Sequence, residues 1–453
     1  MRRDKNTLEQ LLAEGATPAG RVLSRLGTSK PSLSRRVRST PGVLRIGRTR
    51  ATHYALAREI RTYGSKWPVY RIGEDGRASH CANLHALQPR EWWYEFTGPR
   101  PGWLAGEFSL GVFPDLPWFL DDLRPQGFVG RAFARRYSEE LGLPADPTLW
   151  GAEGVLVSLL LHGEDLPGDF LLGDRTLDRF QRASLSAPRC IPSAERAARY
   201  PDLAAAALQG EVPGSSAGGE QPKFTACVDD HGQLHQAIVK LSPLRDTAGG
   251  RRWADLLVCE HLASTVLREG GISACRTELV EGGGRVFLEA QRFDRVGAFG
   301  RRPFVSLLPL DSAYYGKLDS WSAAAERLER DGWLGEEDAN SLRLLWWFGG
   351  LIGNTDMHFG NAGLLLGDRP CRLAPAYDML PMLFRPDSSG EVPPQELVLP
   401  LPRPDQRAVW ARAAALALEF WRRVAQDGRL EPTMRSQGAK ILGSLRPLLD
   451  RFG

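Results

Sequence analysis

Lysine is scarce in this chain: seven lysines stand against fifty-one arginines among its 58 basic residues. Arginine serves wherever positive charge alone is needed, so the positions that keep lysine are candidates for a compact ammonium group. Long apolar runs are missing too. The longest, Gly154–Leu161 and Leu344–Ile352, fall well short of the roughly 20 residues that span a bilayer, and the basic start is not followed by the apolar core of a signal peptide. A cytoplasmic protein with no membrane partner is expected. The six cysteines, at 81, 190, 227, 259, 275 and 371, include no C-x-x-C pair and no histidine at zinc spacing. That pattern predicts reduced, mostly buried thiols. No internal repeat is visible. What is present is ordinary: 453 residues, 42% hydrophobic and 25% charged, enough for two to three domains with separate cores.

Charge is unevenly spread. Residues 1–72 hold sixteen Lys/Arg against four Asp/Glu, a net of +12, so the other 381 residues sum to −8 to give the overall +4. Within this basic stretch, Leu8, Leu11 and Leu12 predict a short helix. Thr17 reads as the cap of a second helix with Pro18 at its first position, running to Leu26 and closed by Gly27. After a short turn a third helix is expected over Ser32–Arg38. Two strands, Val43–Ile46 and Thr52–Leu56, then flank the basic turn Gly47–Arg50. Three helices and a basic hairpin in this order resemble a winged helix-turn-helix DNA-binding domain. The resemblance implies Ser32, Ser34, Arg35 and Arg36 near base edges and Arg48 and Arg50 on the wing beside the backbone. The bland alternative is a small helical domain with a solvated basic face.

The chemistry concentrates near the other end. Asp356 and Asn361, in Thr355-Asp356-Met357-His358-Phe359-Gly360-Asn361, are five residues apart, and Asp378 follows in Ala376-Tyr377-Asp378. The same interval separates the base and the metal-binding amide of a protein-kinase catalytic loop, with the second acid following. Phosphoryl transfer needs a carboxylate to accept a hydroxyl proton, and an acid plus an amide to hold Mg²⁺ with hard oxygens. Local pattern agrees: a helix over Asp338–Ile352 stops at Gly353, and two apolar runs, Gly363–Leu366 and Cys371–Ala374, form a hairpin that returns Asp378 towards Asp356. By itself Asp-x4-Asn is more often a polar loop with a capping Asp. Two rival functions share these residues: a DNA-binding transcription regulator with a non-catalytic nucleotide-binding body, and a metal-dependent nuclease acting on DNA.

Six segments, by their order, favour the kinase reading while both rivals stay open: Phe119–Gly127, Gly163–Gly168, the Gly-rich Ser216–Lys223, Val239–Pro243, Arg292–Arg295, and Thr355–Asn361 with Tyr377-Asp378. Over about residues 80–450 they resemble the HipA-type toxin serine/threonine kinases, in the subgroup with a fused N-terminal winged helix. The resemblance implies an α/β (α+β) fold: a bilobal protein-kinase-like body with a mainly helical C-lobe, divided as 1–72 (winged helix), 73–295 (N-lobe) and 296–453 (C-lobe). It implies ATP and Mg²⁺ as cofactors, with Asp356 as base beside His358, and Asn361 and Asp378 on the metal. Ser216, Ala217, Gly218, Gly219, Gln221 and Lys223 would lie over the phosphates. Lys240 would contact them as well, oriented by Glu260, and Gln291, Arg292 and Phe293 would receive adenine through the backbone. Autophosphorylation is implied at Ser216, with Ser215 adjacent as the alternative.

The implied partners are a protein substrate such as a translation factor or aminoacyl-tRNA synthetase, double-stranded DNA, and an antitoxin or a second copy. The implied location is the bacterial cytoplasm, on the nucleoid when DNA is bound. Glu220 departs from the pattern, standing where a small neutral residue is usual, and Met357 and Gly360 are less polar than the loop often carries.

Overall fold

The computed structural model describes residues 7–104, 106–210 and 221–453. Leu8, Leu11 and Leu12 share the buried face of α1 (Leu8–Leu12), which Thr7 caps by accepting from Gln10 N. β1 (Thr17–Pro18), α2 (Ala19–Leu26), α3 (Lys30–Ser39), β2 (Val43–Ile46) and β3 (His53–Leu56) complete a three-helix unit whose sheet order is β1-β3-β2. Thr17 does not cap α2. It pairs with Tyr54 of β3, its hydroxyl donates to Gly15 O, and Pro18 takes the N-cap place. Gly27 ends α2 with φ 58°, a left-handed conformation that glycine adopts at least cost. Ser29 then caps α3, so this helix begins two residues before Ser32. The unit is docked on its neighbour: Ile46 and Ala55 are buried with Leu87 and Trp93, and Ala16 N donates to Glu91 at 2.7 Å.

Next come β4 (Lys66–Ile72), β5 (Ala78–Ala86), β6 (Trp92–Phe96) and β7 (Val112–Phe113), then α4 (Gly127–Leu141), α5 (Ala152–His162) and β8 (Phe170–Leu172). Their strands form an antiparallel sheet of order β7-β6-β5-β4-β8. β4 lies before the expected boundary at residue 72, yet its hydrogen bonds make it an inner strand of this middle sheet. Aromatic side chains fill this unit's core: Trp92, Tyr94, Trp103, Trp118 and Phe119 are all buried.

After α6 (Asp174–Ser184), a second five-stranded sheet is built from β9 (Ile191–Pro192), β10 (Lys223–Asp230), β11 (Gln233–Leu241), β12 (Thr277–Gly282) and β13 (Arg285–Gln291) in the order β12-β13-β11-β10-β9. α7 (Arg196–Gln209) covers one face through Tyr200, Ala204 and Ala207 against Phe224 and Phe287. α8 (Ala248–Glu269) covers the other through Ala254 and Leu257 against Val286 and Leu288. Residues 73–295, expected as one lobe, therefore hold two sheets.

A hairpin of β14 (Arg295–Val296) and β15 (Gly300–Arg301) leads to β16 (Val305–Ser306) and the helical part: α9 (Leu307–Tyr314), α10 (Trp321–Arg330), α11 (Glu336–Ile352), α12 (Arg407–Gln426) and α13 (Pro432–Phe452). β17 (Gly363–Leu365) and β18 (Arg372–Leu373) form the expected hairpin, and β17 also pairs with β16. The largest core is continuous from the middle sheet into these helices, with Trp118 edge-on to Trp333 at 5.9 Å. Mixed α/β architecture with a mainly helical C-terminal part is what the sequence led us to expect.

One cysteine expectation fails. Cys190 and Cys227, 37 residues apart, are joined in a disulfide, because β9 runs parallel to β10 with Ile191 opposite Val228 and the preceding residues face each other. Cys81, Cys259, Cys275 and Cys371 are free thiols, three of them buried. Among the described residues no helix is long and apolar enough to cross a membrane.

Candidate active site

The hairpin β10–β11 sets Lys223 directly opposite Lys240. Lys240 is buried on the inner end of β11, and its Nζ donates to both carboxylate oxygens of Glu260 on α8 at 2.7 Å and also to Asp378. Burial alone would discharge this ammonium, but Asp378 and Glu260 hold its pKa above the ordinary lysine value. In return, and despite its own burial, Asp378 is held below the usual carboxylate range by Lys240 and then Lys223. Glu260 is thus a direct partner of Lys240. Asp378 carries a positive φ of 58°, costly for a side chain with a Cβ and typical of functional sites. Its backbone oxygen accepts from Asn354 Nδ2 at 3.3 Å.

The loop after α11 is shaped by its own side chains. Gly353 closes the helix at φ 77°, as the sequence predicts. Asn354 Oδ1 then accepts from Asp356 N at 3.0 Å, and Asn361 Nδ2 donates to Asp356 O at 2.8 Å. These bonds pin the backbone on both sides of Asp356 and leave Asn361 Oδ1 as the acceptor end of the amide. His358 Nδ1 accepts from Gly360 N at 3.0 Å, its backbone oxygen accepts from Trp321 Nε1 at 3.1 Å, and its Nε2 lies 3.9 Å from Asp356 Oδ1. Asp356 keeps 48% of its side chain exposed, so its carboxylate is open to a group arriving from solvent.

Two cavities meet at His358. One, of about 210 Å³, is lined by Lys223, Lys240, Glu260, Asn361 and Asp378, and on its far wall by Gln291, Arg292 and Phe293. The other, of about 580 Å³, contains Asp356. The donor set of the first fits a magnesium nucleotide: Asn361 Oδ1 and the Asp378 carboxylate are hard oxygens, and a buried ammonium stands beside them. Magnesium characteristically takes one or two carboxylates and completes its shell from phosphates and water. Among the described residues no group of three or more His, Cys, Asp or Glu side chains forms a protein-only metal cage.

Lys223 opens β10 and lines the cleft, whereas Gln221, two residues before the strand, is not on the cleft lining; Ser215, Ser216, Ala217, Gly218, Gly219 and Glu220 lie outside the described residues. Arg292 reaches the cleft wall, but its guanidinium is buried on Asp294 at 2.8 and 3.0 Å, leaving the backbone of Gln291–Phe293 as the part suited to a base. Asp122 and Gln126 are among the cleft residues that the sequence did not single out. Asp122 accepts from Ser306 N at 2.5 Å and Ser306 Oγ at 2.8 Å, and Gln126 lines the cleft beside it. Both lie in the Phe119–Gly127 segment, whose position in the motif order was the only available signal.

Two further motifs meet each other. The turn at Gly163–Gly168 and the segment Arg292–Arg295 form one buried ionic network: Arg295 reaches Asp165 at 3.0 Å and Gly168 O at 3.0 Å, and Asp294 accepts from Gly168 N at 2.9 Å. Arg292 and Arg295 together hold Asp294 far below the usual carboxylate range against its burial.

The winged unit offers a separate surface. Ser34, Arg35, Arg36 and Arg48 are exposed, whereas Ser32 is half-buried and engaged with Ser29; the side chain of Arg50 is outside the described set.

Comparison with known proteins supplies names for these parts. Residues 63–181 match the family model of a YjjJ-like toxin, middle domain, and residues 215–437 match that of the HipA-like C-terminal domain. Toxin YjjJ of Escherichia coli strain K12 is 36% identical over 445 residues, 98% of each chain. A solved HipA chain of Shewanella oneidensis MR-1, from a complex with HipB and operator DNA, superimposes with a TM-score of 0.51 at 14% identity, covering 85% of this chain and 97% of the other.

Proposed function

Since this chain belongs to the HipA-type toxin family, we propose that it is a Mg²⁺- and ATP-dependent serine/threonine protein kinase that carries its own DNA-binding module. The observation behind this reading is the buried Lys240 between Glu260 and Asp378, facing Asn361 across a cleft that adjoins Asp356. Asn361 Oδ1 and the Asp378 carboxylate would hold the metal, and Lys240, fixed by Glu260, would meet the phosphates. Bound magnesium-ATP supplies the transferable phosphoryl group and neutralises its charge. Asp356, its backbone held by Asn354 and Asn361, accepts the hydroxyl proton of a serine or threonine at its exposed carboxylate. His358 stands between the two cavities and flanks that carboxylate. Gln291–Phe293 receive the base.

By the same family reading, Ser216 or the adjacent Ser215 is an autophosphorylation site and the consequence of phosphorylating cellular protein is growth inhibition. The winged unit would bind duplex DNA through α3, with Ser34, Arg35 and Arg36 towards the groove and Arg48 and Arg50 on the wing, giving control of a promoter alone or with an antitoxin. The Shewanella HipA, solved together with HipB and operator DNA, supports that arrangement by analogy.

Intact and peptide mass spectrometry tests the chemistry. The purified protein, treated with phosphatase and then Mg-ATP, is expected to gain about 80 Da per phosphate on the Ser215–Ser216 peptide, and Asp356→Ala is expected to gain none. Absence of phosphate on both the protein and added protein substrates would leave the DNA-binding regulator as the better reading.

A further inference from the structure

The cavity that holds Asp356 is larger than the phosphate side requires, and its chemistry is different. It is walled by Trp346, Trp347 and Gly350 of α11, by Met357, and by Pro400 on the extended segment before α12. Among the described residues, Asp356 and His358 are the only titratable groups on its lining, which has no lysine or arginine. Gly350 keeps the groove open: a Cβ there would come within 3.2 Å of Pro400. Pro400 is itself fixed, its oxygen accepting from Trp410 Nε1 at 2.9 Å, while Val398 and Leu401 on either side of it are 85% and 51% exposed.

We propose that this groove seats the segment of the substrate protein that flanks the phosphorylated hydroxyl, and that it selects a large apolar residue there. The inference rests on the kinase reading, because it takes its occupant from the adjacency of Asp356 to the nucleotide cleft. A chain that presents a hydroxyl to Asp356 must cross the groove. Within it, an apolar side chain packs against Trp346, Met357 and Pro400. An acidic flank would find no cation and would face Asp356. A basic flank would find only Asp356, the carboxylate that must take the proton. Aromatic walls without counter-charges favour a desolvated apolar anchor.

The test uses the full chain with Mg-ADP and fluorescein-labelled heptapeptides centred on alanine, with leucine or phenylalanine, aspartate, or arginine as flanks; binding is read by anisotropy. Serine-centred versions with Mg-ATP read transfer separately. Apolar-flanked peptides are expected to bind at least about tenfold more tightly than the charged sets, of the order of one buried apolar side chain. Gly350→Ala sets a Cβ 3.2 Å from Pro400, and by narrowing the groove it should weaken the apolar-flanked peptides by roughly three- to tenfold. Trp346→Ala, at the rim, should erase the preference for apolar flanks; Mg-ADP affinity checks that each variant is folded. Serine peptides phosphorylated equally whatever their flanks, or affinities unmoved by both substitutions, would overturn the groove assignment and leave the kinase intact. Selective binding of apolar peptides without any transfer would sustain the groove and remove the kinase.

Discussion

Asp122 shows how one carboxyl can report on the cleft. Burial pushes it from 3.8 up to about 6, against the two hydrogen bonds it accepts from Ser306. A carboxyl whose folded value is raised binds its proton more tightly in the native state. Its contribution to stability is therefore complete below about pH 4 and is lost as pH rises through about 6. Asp122→Asn keeps an oxygen to accept from Ser306 and cannot ionise. The variant should therefore gain on the wild type, by about 1–2 kcal/mol after allowance for solvent in the cleft, between pH 4.5 and pH 7.5. Urea unfolding at those two pH values measures it, and a pH-independent difference would mean that Asp122 is already ionised in the fold. Local spacing explains what sequence could reveal here. Asp356, Asn361 and Asp378 sit on one loop and hairpin, and Lys240 ends an evident strand. Asp122 depends on a partner 184 residues away, which no local pattern encodes.

At the scale of elements, the turn signals were dependable and the strand pairings were not. Gly27 and Gly353 end α2 and α11 where glycine punctuation predicts. Thr17 has good capping chemistry for α2, yet a third strand in the winged sheet recruits it, because β3 would otherwise leave an edge unpaired. The Cys190–Cys227 bridge likewise follows from parallel register between β9 and β10, not from spacing in the chain. The exposed face of α3 carries a sharper expectation. Arg35 and Arg36 are exposed in the middle of the helix, so their replacement should spare the fold. If they reach DNA phosphates or base edges, Arg35→Ala with Arg36→Ala should weaken binding to a mixed-sequence 20-base-pair duplex. The slope of log Kd against log salt should also fall by about 2, or about 1 per lost contact. Anisotropy titrations at several salt concentrations read this directly, and an unchanged slope would move the DNA surface away from α3.

For the whole molecule, the distribution of cores is more informative than the count of domains. The middle sheet and the C-terminal helices share one continuous core, whereas the sheet of β10–β13 has a core of its own with α7. The second sheet carries Lys240 and is tied to the middle unit by Asp165, Asp294, Arg292 and Arg295, whose two guanidinium groups are only 3% and 4% exposed. A buried network of this kind holds position while adding little net stability, but breaking it strands charges. Asp294→Ala leaves two buried arginines with Asp165 as their remaining carboxylate, a cost of about 3–5 kcal/mol. The loss should be local. Hydrogen exchange should quicken in β10–β13 and α7, with the middle sheet and α11–α13 nearly as protected as before, and Mg-ATP affinity should fall because Lys240 moves with its sheet. Uniformly faster exchange across both cores would instead mean that the network supports global folding, and that the two sheets do not move as separate bodies around the cleft.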